Sequence, residues 1–226
     1  MTCTEMVPVN STILPPRLIP VGEIKDDESF RRQGAWRDLR ATLGTRYGNC
    51  FVQDFECGTE PTKALAVETI KKYLGGFAEN FAAGRGLMLA GPSGTGKDHL
   101  MAAAMREAVR AGYSVHWING LDFFGEMRDR IDADRPESDV IKKLARPDIF
   151  AISDPLPPWG PLTPFQAQVF FRVIDRRYRD QKPIWMTVNV HGKSEAVDRL
   201  GASIVDRLRH RAVVLSTHWE SYREPQ

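Results

Sequence analysis

The segment with the greatest chemical content is Gly91-Pro92-Ser93-Gly94-Thr95-Gly96-Lys97-Asp98-His99. Its glycines let the main chain turn tightly and point successive N–H groups into one concavity, and Lys97 is placed to reach the β- and γ-phosphates of a nucleotide. The apolar run Leu87–Ala90 leads into the loop, and a helical pattern (Leu100, Met101, Ala104, Met105, Val109) leaves it. That helix adds the partial positive charge of its N-terminus. Such a context marks a GxxxxGK phosphate-binding loop, for which the plain alternative is an ordinary glycine-rich turn between strand and helix. One motif position departs. Asp98 stands where a Ser or Thr normally offers its hydroxyl to Mg²⁺. A carboxylate there can bind Mg²⁺ harder, but it brings negative charge close to the β-phosphate and, taken alone, could abolish nucleotide binding. His99 follows within the same candidate nucleotide-binding segment and reads as local packing or capping.

Nucleotide hydrolysis on such a loop needs a second strand that ends in acidic residues, to hold the metal and polarise water. Asp148-Ile-Phe-Ala-Ile-Ser153-Asp154-Pro155 fits. In one register the metal-binding position falls on Ser153 and the water-polarising acid on Asp154. In the other, Asp154 is the metal ligand and Pro155, which has no catalytic group, stands where the base belongs. The first register exposes a pairing: the loop has exchanged a hydroxyl for a carboxylate at Asp98, and the strand a carboxylate for a hydroxyl at Ser153. Either the two changes compensate, so that a metal held by Asp98, Ser153 and Asp154 keeps its complement of groups, or both are decay in a protein that no longer hydrolyses ATP.

The elements that must position these groups follow from the rest of the chain. Its 226 residues suffice for one α/β domain with an extension. Apolar residues make up 42% and charged residues 27%, which argues against a largely disordered chain. With 31 basic and 29 acidic residues the net charge is +2, which excludes a strongly basic nucleic-acid coat but leaves local patches open. Cys3, Cys50 and Cys57 form no CxxC pair and no disulfide framework, and the amino terminus lacks a signal-peptide pattern. The longest uncharged stretch, Pro155 to Phe171, holds five prolines and cannot be a membrane helix. A soluble cytoplasmic protein is expected.

Prolines 8, 15, 16 and 20 predict a poorly ordered tail over residues 1–24. A helix is predicted from Ser29 to Gly44, with Trp36, Leu39 and Leu43 on one face. A second runs from Pro61 or Thr62 to Leu74, with Leu65, Ile70 and Leu74 inward and Gly75-Gly76 closing it. Strands are expected at Leu87–Ala90, Tyr113–Ile118, Asp148–Ile152, Pro183–Val188 and Ala212–Leu215. Between them lie helices near Lys97–Ala111, Leu121–Ile131, Pro164–Asp180 and Ser194–Arg209, the third with Thr163 and Gln166 as a capping box. The expected architecture is α/β: a five-stranded, mostly parallel sheet with helices on both faces. Residues 1–60 read as an amino-terminal extension for partner or DNA binding, and residues 61–226 as the core.

With these features in place the chain resembles the DnaC/IstB family of AAA+ ATPases, the bacterial and phage helicase loaders and the ATPase subunits of insertion sequences. The residues that carry the likeness are Gly86–Leu100, Asp148–Asp154, PIWMTVNV (Pro183–Val190), IVDRL (Ile204–Leu208) and Ser221–Arg223, with the approach Arg46-Tyr47 and Phe51–Phe55. The resemblance implies ATP and Mg²⁺ as cofactors, Asn189 as a sensor that orients attacking water, and Arg207 as an arginine finger reaching a neighbouring subunit's nucleotide. The plain alternatives are a turn asparagine and a surface ion pair with Asp206. Arg223 is a further residue directed at nucleotide, and no helical lid follows it. The implied partners are a replicative helicase or a transposase-type protein, single-stranded DNA and further copies of the chain.

Cationic residues on the later helices (Arg172, Arg176, Arg177, Arg179, Arg207, Arg209, His210, Arg211) could line a DNA-facing surface or be solvated helix faces. Tyr178 and Trp185 are expected in the core. Three functions remain in view: a loader-type ATPase in DNA replication or an equivalent in transposition, a catalytically silent nucleotide-binding scaffold, and a small-molecule kinase. The kinase lacks an Arg-rich lid and is disfavoured by the Pro-rich segment Pro155–Pro164.

Overall fold

The computed structural model describes residues 27–133 and 136–223; the predicted tail and Cys3 lie outside them. The first helix, α1 (Asp27–Tyr47), leaves helical geometry at Gly44 (φ 69°), where the sequence predicts its end. Its Leu39 and Leu43 are buried, and Trp36 packs beside them. A 3₁₀ turn at Val52–Asp54 leads to α2 (Pro61–Gly75) and the short α3 (Phe77–Ala82). Ile70 of α2 is buried as expected, but Leu65 is 62% exposed. The inward face of α2 is Ala66, Val67, Ile70 and Tyr73, so the expected placement of Leu65 is corrected by less than half a helical turn.

Strands and helices then alternate: β1 (Leu87–Ala90), α4 (Lys97–Arg110), β2 (Val115–Asn119), α5 (Gly120–Asp132), α6 (Glu137–Ala145), β3 (Ile149–Ser153), α7 (Pro164–Arg179), β4 (Ile184–Val188), α8 (Lys193–Leu200), α9 (Ala202–Arg209) and β5 (Val213–Ser216). All strand pairs are parallel, in the order β2-β3-β4-β1-β5. The predicted strands shift by two residues at most. The predicted helix from Ser194 to Arg209 is two helices, because Gly201 at φ 96° breaks it. Helices α3 and α6 are additions, too short for their periodicity to stand out from a linker. The capping box at Thr163 is present: its hydroxyl accepts from the Gln166 N–H, and the Gln166 side chain accepts from the Thr163 N–H.

Strand alternation divides the core into two layers. Ile149 and Ala151 face the layer of α1, α2 and α4, while Phe150 and Ile152 face that of α5 to α9. Leu100, Met101 and Met105 of α4 are completely buried, each worth roughly 1.5–3 kcal/mol of apolar transfer, and they fix α4 and the loop before it to the sheet. Trp185 lies in the core as predicted, its indole N–H donating to the Tyr73 hydroxyl at 3.0 Å. Tyr178 does not; it is 40% exposed beside His210. Arg177 belongs to no DNA-facing surface, being fully buried and hydrogen-bonded to carbonyls of Leu144, Pro147, Asp148 and Pro183. Among the described residues no helix is long and apolar enough to cross a membrane.

Candidate nucleotide and metal site

Because β4 lies between β1 and β3, the segments leaving the carboxyl ends of these three strands meet at one edge of the sheet. Register pairs Ala90 with Val188 and Ser153 with Thr187, which sets the phosphate loop, Asp154 and Asn189 side by side. Ligands of open parallel sheets bind at such an edge.

The loop from Gly91 to Gly96 is held from outside by the residues after β5. The Thr95 and Thr217 hydroxyls are 3.0 Å apart, the Trp219 indole donates to the Thr95 carbonyl at 2.9 Å, and the Tyr222 N–H donates to the Gly94 carbonyl at 2.9 Å. Gly94 has φ 80°, and a Cβ there would lie 2.0 Å from the Ser221 hydroxyl; at Gly96 (φ 83°) it would lie 2.6 Å from the Phe55 ring. Both positions therefore need glycine for conformation and for space. Phe55 packs edge-on against His99, Trp219 and Tyr222, so the approach at residues 51–55 and the Ser221–Arg223 block converge on the loop. Pro92 and Ser93 complete the turn. His99 packs locally, as its sequence context suggests, with Nε2 3.1 Å from the Phe51 carbonyl.

Lys97 is 6% exposed. Its ammonium donates to the carbonyls of Gly91 (2.9 Å) and Pro92 (2.6 Å), both within its own loop. Burial lowers its pKa, while Asp98 and Asp154 pull the other way.

Asp98, in the first turn of α4, projects onto the ends of β3 and β4. Its Oδ1 accepts from the Ser153 hydroxyl at 2.7 Å and from the Thr187 hydroxyl at 2.7 Å. The two exchanged positions are therefore in direct contact. Asp154 follows at φ 47°, a left-handed conformation uncommon for a non-glycine residue. Its N–H donates to the Thr187 carbonyl at 2.9 Å, and its carboxylate accepts from the Asn189 N–H at 3.4 Å and from the Asn189 side-chain amide. Burial raises its pKa, opposed by the Asn189 N–H and reinforced by the nearby Asp98 charge. Thr187 is the site residue that sequence reasoning missed. A threonine inside the otherwise apolar run Ile184–Val188 was the available signal.

Arg207 sits elsewhere. It lines a cavity of about 350 Å³ with Gly86 and Ile184, at the amino ends of β1 and β4. Its guanidinium pairs with Asp175 at 3.1 Å, not with Asp206, and lies 4.6 Å from the centre of the Phe171 ring. Arg179 shares Asp175 at 3.0 Å.

The donor set suits a divalent cation associated with phosphates. Asp98 uses Oδ1 for both hydroxyls, and among the described residues its Oδ2 accepts no hydrogen bond. The strand order, the phosphate loop after β1, the acid after β3 and the amide after β4 together define a P-loop protein of the AAA+ type. Comparison narrows the class. The sequence profile described as IstB-like ATP binding protein matches residues 76–226, and the chain belongs to that family. The replicative helicase loader DnaC of Escherichia coli (strain K12) is 26% identical over 188 residues, covering 81% of this chain and 73% of the relative. An insertion sequence IS232 putative ATP-binding protein of Bacillus thuringiensis subsp. berliner is 30% identical over 141 residues, covering 61% and 55%. A crystal structure of the DnaC helicase loader superposes with a TM-score of 0.68 at 20% identity, over 76% of this chain and 99% of that one. AMPPCP-bound DnaA from Aquifex aeolicus gives 0.60 at 23% identity, over 77% and 50%. At these identities the two structures establish the fold alone.

Proposed function

We propose that this protein is a loader-type ATPase of DNA replication that binds ATP between subunits, engages a replicative helicase and single-stranded DNA in the cytoplasm, and releases them on hydrolysis. The observation that carries the reading is the 2.7 Å bond from Ser153 to Asp98. A decayed site on the same fold would keep the two positions adjacent, but it need not fill them with a matched acceptor and donor. Compensation requires that match, because the metal edge then still offers one carboxylate and one hydroxyl. The division into an extension over residues 1–60 and a core over 61–226 belongs to the same reading, with partner choice in the extension.

In this reading the N–H groups of Ser93–Gly96 and the amino end of α4 surround the β-phosphate. Lys97 exchanges its two carbonyl acceptors for phosphate oxygens; both partners are then charged, and the contacts are stronger. Mg²⁺, bound with ATP, would neutralise charge between the β- and γ-phosphates, held by Asp98 with Ser153 and Asp154 beside it. Asp154, its pKa raised by burial, takes the proton of the attacking water. Asn189, already bonded to that carboxylate, orients the water. Arg207 is at the far end of β1 from its own loop, roughly 13 Å of strand away, so it serves the nucleotide of a second copy packed head to tail. Arg223 lies beside Gly94 and adds positive charge near the phosphates. The likeness to an insertion-sequence ATP-binding protein supports a second reading in which the partner is a transposase.

Calorimetric titration with ATP, with and without Mg²⁺, tests the reading. Binding strengthened by Mg²⁺ is expected. No detectable binding in either condition would overturn it and leave a silent scaffold.

A further inference from the structure

Thr187 interrupts a buried strand of Ile184, Trp185, Met186 and Val188, and is itself 1% exposed. A hydroxyl removed from water costs about 1–3 kcal/mol unless it is bonded, and valine would fill the same space without that cost. The hydroxyl donates to Asp98 Oδ1 at 2.7 Å, the oxygen that also receives the Ser153 proton, and the two hydroxyl oxygens stand 3.2 Å apart. The carbonyl of the same residue receives the Asp154 N–H at 2.9 Å. Thr187 thus touches both acids of the site, one through its side chain and the other through its main chain. Parallel register on both sides, to Leu89 of β1 and Ser153 of β3, fixes its backbone, and β-branching restricts its rotamer.

Resting on the nucleotide-site reading above, we infer that Thr187 is a positioning residue of the metal edge. Its hydroxyl acts with that of Ser153 to turn the Asp98 carboxylate so that Oδ1 is occupied and Oδ2 is left for a cation. One hydroxyl alone leaves the carboxylate free to rotate about its Cβ–Cγ bond. Two donors from neighbouring strands, converging on one oxygen, do not. This also explains how a carboxylate is tolerated where the motif has a hydroxyl: half of its acceptor capacity is spent on the protein.

Two measurements on the full chain test the inference. The first is ATP affinity by calorimetry in Mg²⁺ and in EDTA for wild type, Thr187→Val and Thr187→Ser. A hydrogen bond to a charged group corresponds to about a tenfold change in an equilibrium constant, so Thr187→Val should lose about tenfold of the affinity that Mg²⁺ adds. It should keep its EDTA affinity within about twofold, and Thr187→Ser should restore the Mg²⁺ gain. An unchanged Mg²⁺ gain in Thr187→Val, or an equal loss in Thr187→Ser, would overturn the inference. The second needs no nucleotide: urea unfolding of Thr187→Val, Asp98→Ala and the double variant. The lowering of the midpoint by Thr187→Val should largely disappear when Asp98 is absent; additive effects would show that the hydroxyl does not act through Asp98. Failure of wild type to bind ATP would end the nucleotide reading, while the urea cycle would still judge the contact.

Discussion

Lys97 and Arg177 are both cations withdrawn from water, and both are held by main-chain carbonyls, yet they differ in what holds them. Arg177 is fully buried, and its two terminal nitrogens reach carbonyls in the segment before β3, from Leu144, Pro147 and Asp148, and just before β4, from Pro183. Burial pushes its pKa down to about 10, so it remains charged at neutral pH, and its planar fork of donors ties α7 to the segments that lead into two strands. Among the described residues Lys97 hydrogen-bonds the carbonyls of Gly91 and Pro92 alone, six and five residues before it. Those contacts stitch a loop to itself and join no distant elements. A buried cation with many distant acceptors is part of the framework; one with a few local acceptors can be given a better partner.

That contrast can be broken at several points. Arg177→Met leaves buried carbonyls without a donor and should cost on the order of 4 kcal/mol in urea unfolding. Lys97→Met leaves one buried carbonyl, that of Gly91, without its donor, so it should cost no more than about 1–2 kcal/mol in urea unfolding. It should weaken ATP binding about a hundredfold in calorimetry, since it removes two charge-assisted contacts to phosphate. If Lys97→Met unfolds the protein as Arg177→Met does, the distinction is wrong. Asp154→Asn sharpens it from the acid side. Because burial raises the pKa of Asp154 above its ordinary 3.8, the ionised carboxylate costs stability at neutral pH, and that cost fades as pH falls through the folded value. Asp154→Asn should melt above wild type at pH 7, with the gap closing toward pH 4. The smallest effect belongs to Arg207→Ala. Its ion pair with Asp175 is partly exposed, so stability should change by less than about 1 kcal/mol and ATP binding by a single subunit not at all.

The phosphate loop, its strand and its helix were legible because their residues are contiguous and glycine permits what few other residues do. The strands were legible because buried parallel strands are nearly continuous apolar runs. What escaped depends on distance in sequence. Arg177 looked like one more exposed arginine on a basic helix, since nothing local says that its face of α7 meets the carbonyls around Pro147 and Pro183. The role of Thr187 is not visible locally, since its partner Asp98 lies 89 residues away. Tyr178 reads as a core aromatic because aromatic residues are usually buried, yet its ring lines the cavity beside Arg207 and Gln181. The pairing of Asp98 with Ser153, by contrast, could be read from motif positions alone, and the structure supplies the bond.

The claim at the centre is that Asp98 and Ser153 act as one unit. The direct measurement is Mg²⁺-dependent ATP hydrolysis by wild type, Asp98→Thr, Ser153→Asp and the double variant. Compensation predicts that each single change lowers the rate, the first by leaving two hydroxyls and the second by setting two carboxylates together, and that the double variant recovers it. If both single variants and the double are all faster than wild type, the two positions are independent losses and the account is contradicted.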